Sequence, residues 1–409
     1  MKIGVFSDLH LGNRQYSLQE REDDFYCQYL RAIDEFVNQE VDCVICAGDV
    51  FDKPRPSPRS LDFFIKGLKK LEQNDILFLN IIGNHSIVQF HNFITADEVV
   101  GEIFDDSFYI LLDRDCFYDN NDVLICGLPY HFQFELDKLV DKVSSLNNIA
   151  ENSLAKFKIL VLHQSFKEYN GFPGEEFSIK DIDISNFDLI ICGHIHARVL
   201  AEMDKGIYLG AGSLERSSVA EAKDEENQGK GVYIIDTDNS NINFVRIRSD
   251  RKFFISDMYM NEENEIREIE NEIRECVQEC EEKPVLFLTV HDKSGSYIRL
   301  MDMVKSLSDV CLTVNFNYFD ESRAVQEIVD INGDMPTPLE ALKLALNPLD
   351  EDEFNLGIDL YNLLKDGEDA KKLLDEFLEK RKMERENRGN KYITDNDNLD
   401  EFIKYFEEK

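Results

Sequence analysis

The stretch KIGVFSDLHLG, residues 2–12, decides how this chain is read. Its first half is an apolar run without polar alternation, the pattern of a strand buried on both faces. Its second half sets Asp8 and His10 directly behind that strand. The arrangement recurs. VDCVICAGD (41–49), ILFLNIIGN (76–84), VLICGLP (123–129), KILVLHQ (158–164) and DLIICGH (188–194) are further Val-, Ile- and Leu-rich runs, and most end on a polar residue. Helical patterns lie between them near 19–40, 57–73, 92–104 and 133–149. Strands alternating with helices predict a layered α/β domain.

The pattern changes after residue 206. GIYLGAGS (206–213), KGVYIIDTD (230–238) and INFVRIRSD (242–250) read as successive strands that extend one sheet of the sandwich. Residues 251–330 read as a small α+β unit. Its strands are FFISDMYM, PVLFLTVHD and CLTVNFNYF, with helices near 262–281 and 296–308. A Pro-containing linker, 331–345, leads to a helical region, 346–409, in which the polar run 386–398 is expected to be disordered. Helices this short cannot bury their apolar faces alone, so the region is expected to dock on a partner.

Composition narrows the function. The formal net charge of the 409 residues is −37, from 45 Lys and Arg against 82 Asp and Glu. That excludes a broad basic face for nucleic acid and suits a cytosol of high ionic strength. The nine cysteines are an odd number and cannot all pair within the chain. Cys43, Cys46, Cys126 and Cys192 lie in apolar runs and read as buried thiols, which implies a reducing compartment. No apolar run reaches the roughly 20 residues of a membrane span, and the N-terminus is no signal peptide. A cytoplasmic protein is expected.

Five segments carry chemistry: SDLHLG (7–12), GDVFD (48–52), GNHS (83–86), HQS (163–165) and GHIHA (193–197). Each follows the end of a strand run, where ligands collect in open α/β folds. Asp8 and His10 alternate around Leu9, so an extended segment points both to one side. His194 and His196 repeat that spacing around Ile195. Asp49 can bridge two cations through its two oxygens, and Asn84 adds an amide oxygen. The donor set is nitrogen and oxygen without thiolate, which suits manganese, iron or zinc. Asp8, His10, Asp49, Asn84, His163, His194 and His196 are too many for one ion, but two ions sharing a carboxylate account for all seven. His85 is adjacent to a ligand and faces away from it, as a residue contacting the scissile phosphate would. His91 lacks comparable context, and His131 reads as structural.

The five segments together resemble those of the calcineurin-like metallophosphoesterases. Two longer stretches, GDVFDKPRPSP (48–58) and GSLERS (212–217), resemble the Mre-eleven-type nucleases of DNA double-strand-break repair, in an archaeal form. The resemblance implies a four-layer α/β/β/α sandwich over 1–250, a capping domain over 251–330 and C-terminal helices. It implies two manganese ions, one on Asp8, His10, Asp49 and His196, the other on Asp49, Asn84, His163 and His194. It implies His85 as the catalytic histidine of a 3′-5′ exonuclease and single-strand or hairpin endonuclease. It also implies a homodimer and a Rad-fifty-type SMC-like coiled-coil ABC ATPase as partner. Two residues depart from the pattern. Ser86 stands where many relatives carry Asp, and Asp52 where some carry His.

Arg14, Lys53, Arg55, Arg59, Arg198 and Arg216 lie close to the motifs, and some of them, Arg14, Arg55, Arg59 and Arg198 foremost, are expected to supply phosphate contacts. The helices around 61–71 and 90–104 carry apolar residues on more than one side, which points to a dimer interface. A general phosphodiesterase, or a non-catalytic scaffold of the same fold, are the alternative readings.

Overall fold

The computed structural model describes residues 1–87, 94–104, 107–111, 122–170, 177–223, 229–262 and 265–321. His91, the linker 331–345 and the helical region 346–409 lie outside the described residues. The first compact unit spans Met1–Ala324.

Four parallel strands open the chain: β1 (Lys2–Phe6), β2 (Cys43–Cys46), β3 (Leu77–Asn80) and β4 (Phe108–Ile110). Helices α1 (Gln19–Asn38), α2 (Pro58–Glu72) and α3 (Ala96–Ile103) alternate with them. Local sequence fixes the helix starts. Ser57 accepts the amide of Ser60 and Pro58 occupies the first turn of α2. Thr95 and Glu98 form a capping box on α3. A second set of parallel strands follows: β5 (Val123–Leu128), β6 (Phe157–His163) and β7 (Leu189–Gly193), with α4 (Leu136–Asn152) and the short α5 (Lys167–Asn170) between them. The hairpin β8 (Val199–Glu202) and β9 (Ile207–Gly210) completes that sheet, in the order β5-β6-β7-β9-β8.

The short α6 (Val219–Lys223) then leads the chain to the other sheet. β10 (Gly231–Asp236) pairs antiparallel with β1, and β11 (Asn241–Arg246) pairs with β10. The three runs of 206–250 therefore do not extend one sheet, as their sequence suggested. β9 continues the second sheet, while β10 and β11 cap the edge of the first.

Period-two alternation sorts the side chains into three layers of core. Ile3, Val5, Ile45 and Leu79 of the first sheet meet Ile125, Ile159, Val161 and Ile191 of the second. Their neighbours Phe6, Val44, Cys46 and Phe78 face α1 and α2. Leu124, Leu160, Leu162 and Ile190 face α4. The result is the expected α/β/β/α sandwich. The same alternation disposes of the C-x-x-C pair, because Cys43 enters the inter-sheet core and Cys46 the helix-facing core. Cys43, Cys46 and Cys192 are buried free thiols. Cys126 is not: its sulfur is disulfide-bonded.

The remaining strands, β12 (Phe253–Met260), β13 (Val285–Asp292) and β14 (Thr313–Asp320), form a separate three-stranded sheet, parallel throughout. α7 (Ile266–Val277) and α8 (Tyr297–Ser306) cover one face of it. Arg21, Arg216 and Arg251 join this unit to the sandwich. The guanidinium groups of Arg21 and Arg216 both lie 4.9 Å from the Phe253 ring, and Arg251 pairs with Asp24 at 2.6 Å. Among the described residues, no helix is long and apolar enough to cross a membrane.

Candidate metal centre

The two sheets present the carboxyl ends of their parallel strands on one side. Asp8 and His10 follow β1, Asp49 follows β2, and Asn84 and His85 follow β3. His163 ends β6, and His194 and His196 follow β7. All seven proposed ligands converge there. The ligand atoms of Asp8, His10 and His196 lie within 4.8 Å of one another, as do those of Asp8, Asp49 and His163. His194 Nδ1 is 2.9 Å and His163 Nε2 3.0 Å from Asn84 Oδ1.

Backbone geometry, not strand alternation, achieves this convergence. Asp8, His10, Asp49 and His194 have φ of 51°, 44°, 52° and 83°. The D-x-H segment is therefore not extended, which corrects the reason given for its two side chains pointing together. Left-handed residues without glycine are strained, and such strain clusters at functional sites. Here it is held by hydrogen bonds from Asp8 N to Gly48 O and from His10 N to Asp49 O, both 3.1 Å. Gly48 makes the crossing possible. Its φ is +98°, and a Cβ there would stand 2.2 Å from His163 Nδ1.

The donor set fits cations. His163 Nδ1 donates to Ala47 O at 2.7 Å, which turns Nε2 toward Asp49 Oδ2 at 3.2 Å. Burial opposes charge on this pair, yet mutual attraction prevails. Asp49 is held well below the usual carboxylate range and His163 is raised to about 9. A metal ion bound here would take over the role each plays for the other's charge. His10 is different. Burial, reinforced by His196, lowers it to about 3, so it is a neutral imidazole. Its Nδ1 is buried without a hydrogen-bond partner, an orphan that calls for explanation. Its Nε2 lies 3.1 Å from His196 Nε2. Two imidazole nitrogens this close would be placed to share one ion. Burial, then His163, likewise lowers His194, to about 4.

Behind His196 stands a group that the sequence reading missed. Glu221, on α6, accepts from His196 Nδ1 at 3.2 Å, Ser217 Oγ at 2.7 Å and Lys230 Nζ at 2.5 Å. Burial would raise its carboxyl. The His196 hydrogen bond and Lys230 overcome burial and hold it well below the carboxylate range. Such an outer carboxylate fixes the tautomer of a ligating histidine. The sequence signal was weak: a lone Glu four residues beyond Ser217.

His85 faces the cluster, with its ring 4.6 Å from that of His10 and edge-on to it. Its amide donates to Asp49 Oδ1 at 2.9 Å, and its Nδ1 lies 2.7 Å from Asp52 O. The backbone carbonyl of Asp52 therefore orients this ring. Ser86 does not; its hydroxyl donates to the buried Asp97 at 2.8 Å. His131 packs as a structural residue, with Nδ1 2.8 Å from Pro129 O and Nε2 2.9 Å from Lys142 Nζ.

The basic residues divide. Arg14, Lys53 and Arg55 are exposed. Arg59 pairs with Asp23 and lies over the Tyr26 ring. Arg198 sits 3.5 Å from the Phe244 ring centroid and donates to Gly229 O. Arg216 is buried and donates to Arg251 O at 3.1 Å. It braces the three-stranded unit and cannot reach a phosphate, contrary to expectation.

Comparison with known proteins agrees with this geometry. Residues 1–198 match the calcineurin-like phosphoesterase family, and with this fold and donor set the chain is a metal-dependent phosphodiesterase of that class. The DNA double-strand break repair protein Mre11 of Methanococcus maripaludis is 32% identical over 71% of this chain and 78% of that protein. The Mre11 proteins of Methanocaldococcus jannaschii and Thermoplasma acidophilum are 28% and 30% identical. They cover 91% and 73% of this chain, and 96% and 79% of their own lengths. The chain belongs to the Mre11 family.

Proposed function

We propose that this chain is a manganese-dependent DNA nuclease of double-strand-break repair, acting as a 3′-5′ exonuclease on duplex ends and an endonuclease on single strands and hairpins. The observation that carries the proposal is the meeting of Asp8, Asp49 and His163 with Asp8, His10 and His196 at one set of strand ends, in a chain of this family. Asp8, His10, Asp49 and His196 would hold one ion, and Asp49, Asn84, His163 and His194 the other. Bound ions would supply the charge that polarises the phosphodiester and lowers the pKa of an attacking water.

The protein's own groups do the rest. Ala47 O and Glu221 set the tautomers of His163 and His196. Asp52 O holds His85 by Nδ1, leaving Nε2 to face the scissile phosphate and donate a proton to the leaving oxygen. Arg14, Arg55, Arg59 and Arg198 are the proposed phosphate contacts, the first two being the most exposed. On an acidic chain this footprint is short, so much of the grip on DNA falls to a Rad-fifty-type ABC ATPase, docked through residues 346–409. Residues 251–330 would cap the substrate. A homodimer is supported by Ile94, Val99 and Ile103, which are 65%, 50% and 64% exposed beside α3 or on it.

The test is hydrolysis of blunt duplex, hairpin DNA and a generic aryl phosphodiester, with and without the ATPase, by the parent chain and His85→Ala. Manganese-dependent cutting of both DNAs, strongly reduced on duplex ends by His85→Ala, is expected. Turnover of the generic diester alone would leave a general phosphodiesterase.

A further inference from the structure

An aromatic path leaves the metal centre and ends in solvent. The His194 ring packs against Tyr130 at 5.4 Å between centroids. Tyr130 meets Phe132 edge-on at 5.2 Å. Phe132 lies parallel to Phe134, 5.4 Å away with planes 8° apart. Tyr130, Phe132 and Phe134 all sit between β5 and α4, at alternate positions of one short segment. That segment is braced at both ends. The Tyr130 amide donates to Ile82 O at 2.8 Å, two residues before Asn84, and the Glu135 amide donates to Phe132 O at 2.7 Å.

Among the described residues, none covers the end of the path. Phe134 is 83% exposed, so its ring forgoes most of the burial that normally justifies a phenylalanine. What sets Phe134 apart from other exposed apolar residues is its place, on a braced loop at the end of an aromatic path from the metal centre, where loops carry recognition.

We infer that this path is a base-stacking subsite: an unpaired nucleobase of the substrate strand stacks on the outward face of Phe134 and guides that strand to the metal centre. The inference rests on the DNA-nuclease reading above. The geometry selects the outward face. Stacked planes are about 3.4 Å apart, so a base between Phe132 and Phe134 would need about twice that, and the centroids stand only 5.4 Å apart. The charge of the chain favours the same mode. At a net charge of −37, affinity from a long run of phosphate contacts is closed to it, whereas stacking on an aromatic ring involves no counterion release and tolerates every base. It also survives the high ionic strength that this composition suits. Phe134 is thus a positioning residue for strands with an unpaired base.

The experiment uses the full chain and a single-stranded oligonucleotide carrying one 2-aminopurine and non-hydrolysable linkages. The parent chain is expected to quench the probe on binding, and to keep binding it at about 1 M salt. Phe134→Leu should abolish the quench and weaken binding about ten-fold. Phe134→Trp should restore both. On cleavable strands the loss should fall on KM rather than kcat. Because Phe134 is exposed, neither substitution endangers folding. Quenching and affinity in Phe134→Leu equal to the parent chain's would overturn the inference while leaving the nuclease reading intact. A parent chain that hydrolyses a generic phosphodiester but binds no oligonucleotide would sink both.

Discussion

Glu221→Gln should weaken binding of the ion proposed on His196 and, separately, destabilise the fold. The carboxylate touches no proposed ion. It orients His196 through Nδ1 at 3.2 Å and neutralises Lys230 at 2.5 Å. Lys230 is only 8% exposed, so losing its partner leaves a buried ammonium uncompensated. Breaking a buried pair from one side costs about 3–5 kcal/mol. Loss of an outer-shell carboxylate typically costs about 10–100-fold in metal affinity, or roughly 1.4–2.7 kcal/mol. The two effects separate in the double variant Glu221→Gln/Lys230→Met. It removes the stranded charge and should recover most of the stability, while the metal defect persists. Denaturant unfolding without metal reads the first effect, and calorimetric titration with Mn²⁺ the second. The linkage has a sign as well. The Glu221 carboxyl is held below its ordinary value of 4.5, so its stabilisation is present above that pH and is lost as pH falls. Parent-like Mn²⁺ affinity in Glu221→Gln would refute the role given to His196 and its partner. Parent-like stability would refute the buried pair.

Two further outcomes follow from single residues. Burial pushes the Asp97 carboxyl up to about 6 from 3.8, against hydrogen bonds from Ser86 and Asn80. Between those values the folded state holds a proton that the unfolded chain has released, so stability falls as pH rises. Asp97→Asn removes this term and should gain about 3 kcal/mol relative to the parent chain between pH ~3.5 and ~7; a pH-independent difference in unfolding free energy would contradict it. Gly48→Ala should lose metal and stability together. Its Cβ would meet His163 Nδ1 at 2.2 Å, and the left-handed backbone adds roughly 1–2 kcal/mol; thermal unfolding with and without Mn²⁺ measures both.

Much of this molecule could be read from its sequence because two signals are local. Apolar runs such as CVIC of β2 and FKILVLH of β6 need no partner to be recognised as buried strands. The residues behind them, from Asp8 to His196, need only the rule that strand ends gather ligands. Features set by distant contacts were hidden. KGVYIIDTD does not reveal that it pairs with β1 rather than β9. Arg216 reads as a candidate phosphate contact until Phe253, 37 positions further on, is seen beneath the guanidinium. The left-handed φ of Asp8 and His10 is invisible in a D-x-H pattern that also suits an extended strand. Glu221 became interpretable only when α6 brought it to His196.

On the proposed reading, seven side chains hold two ions across Asp49. Anomalous scattering at the manganese edge, from crystals of the full chain soaked in Mn²⁺, is the decisive measurement. Two peaks are expected, one among Asp8, His10, Asp49 and His196, the other among Asp49, Asn84, His163 and His194. A single peak, or one centred on the alternative cluster of His10, Asp52 and His85, would contradict it.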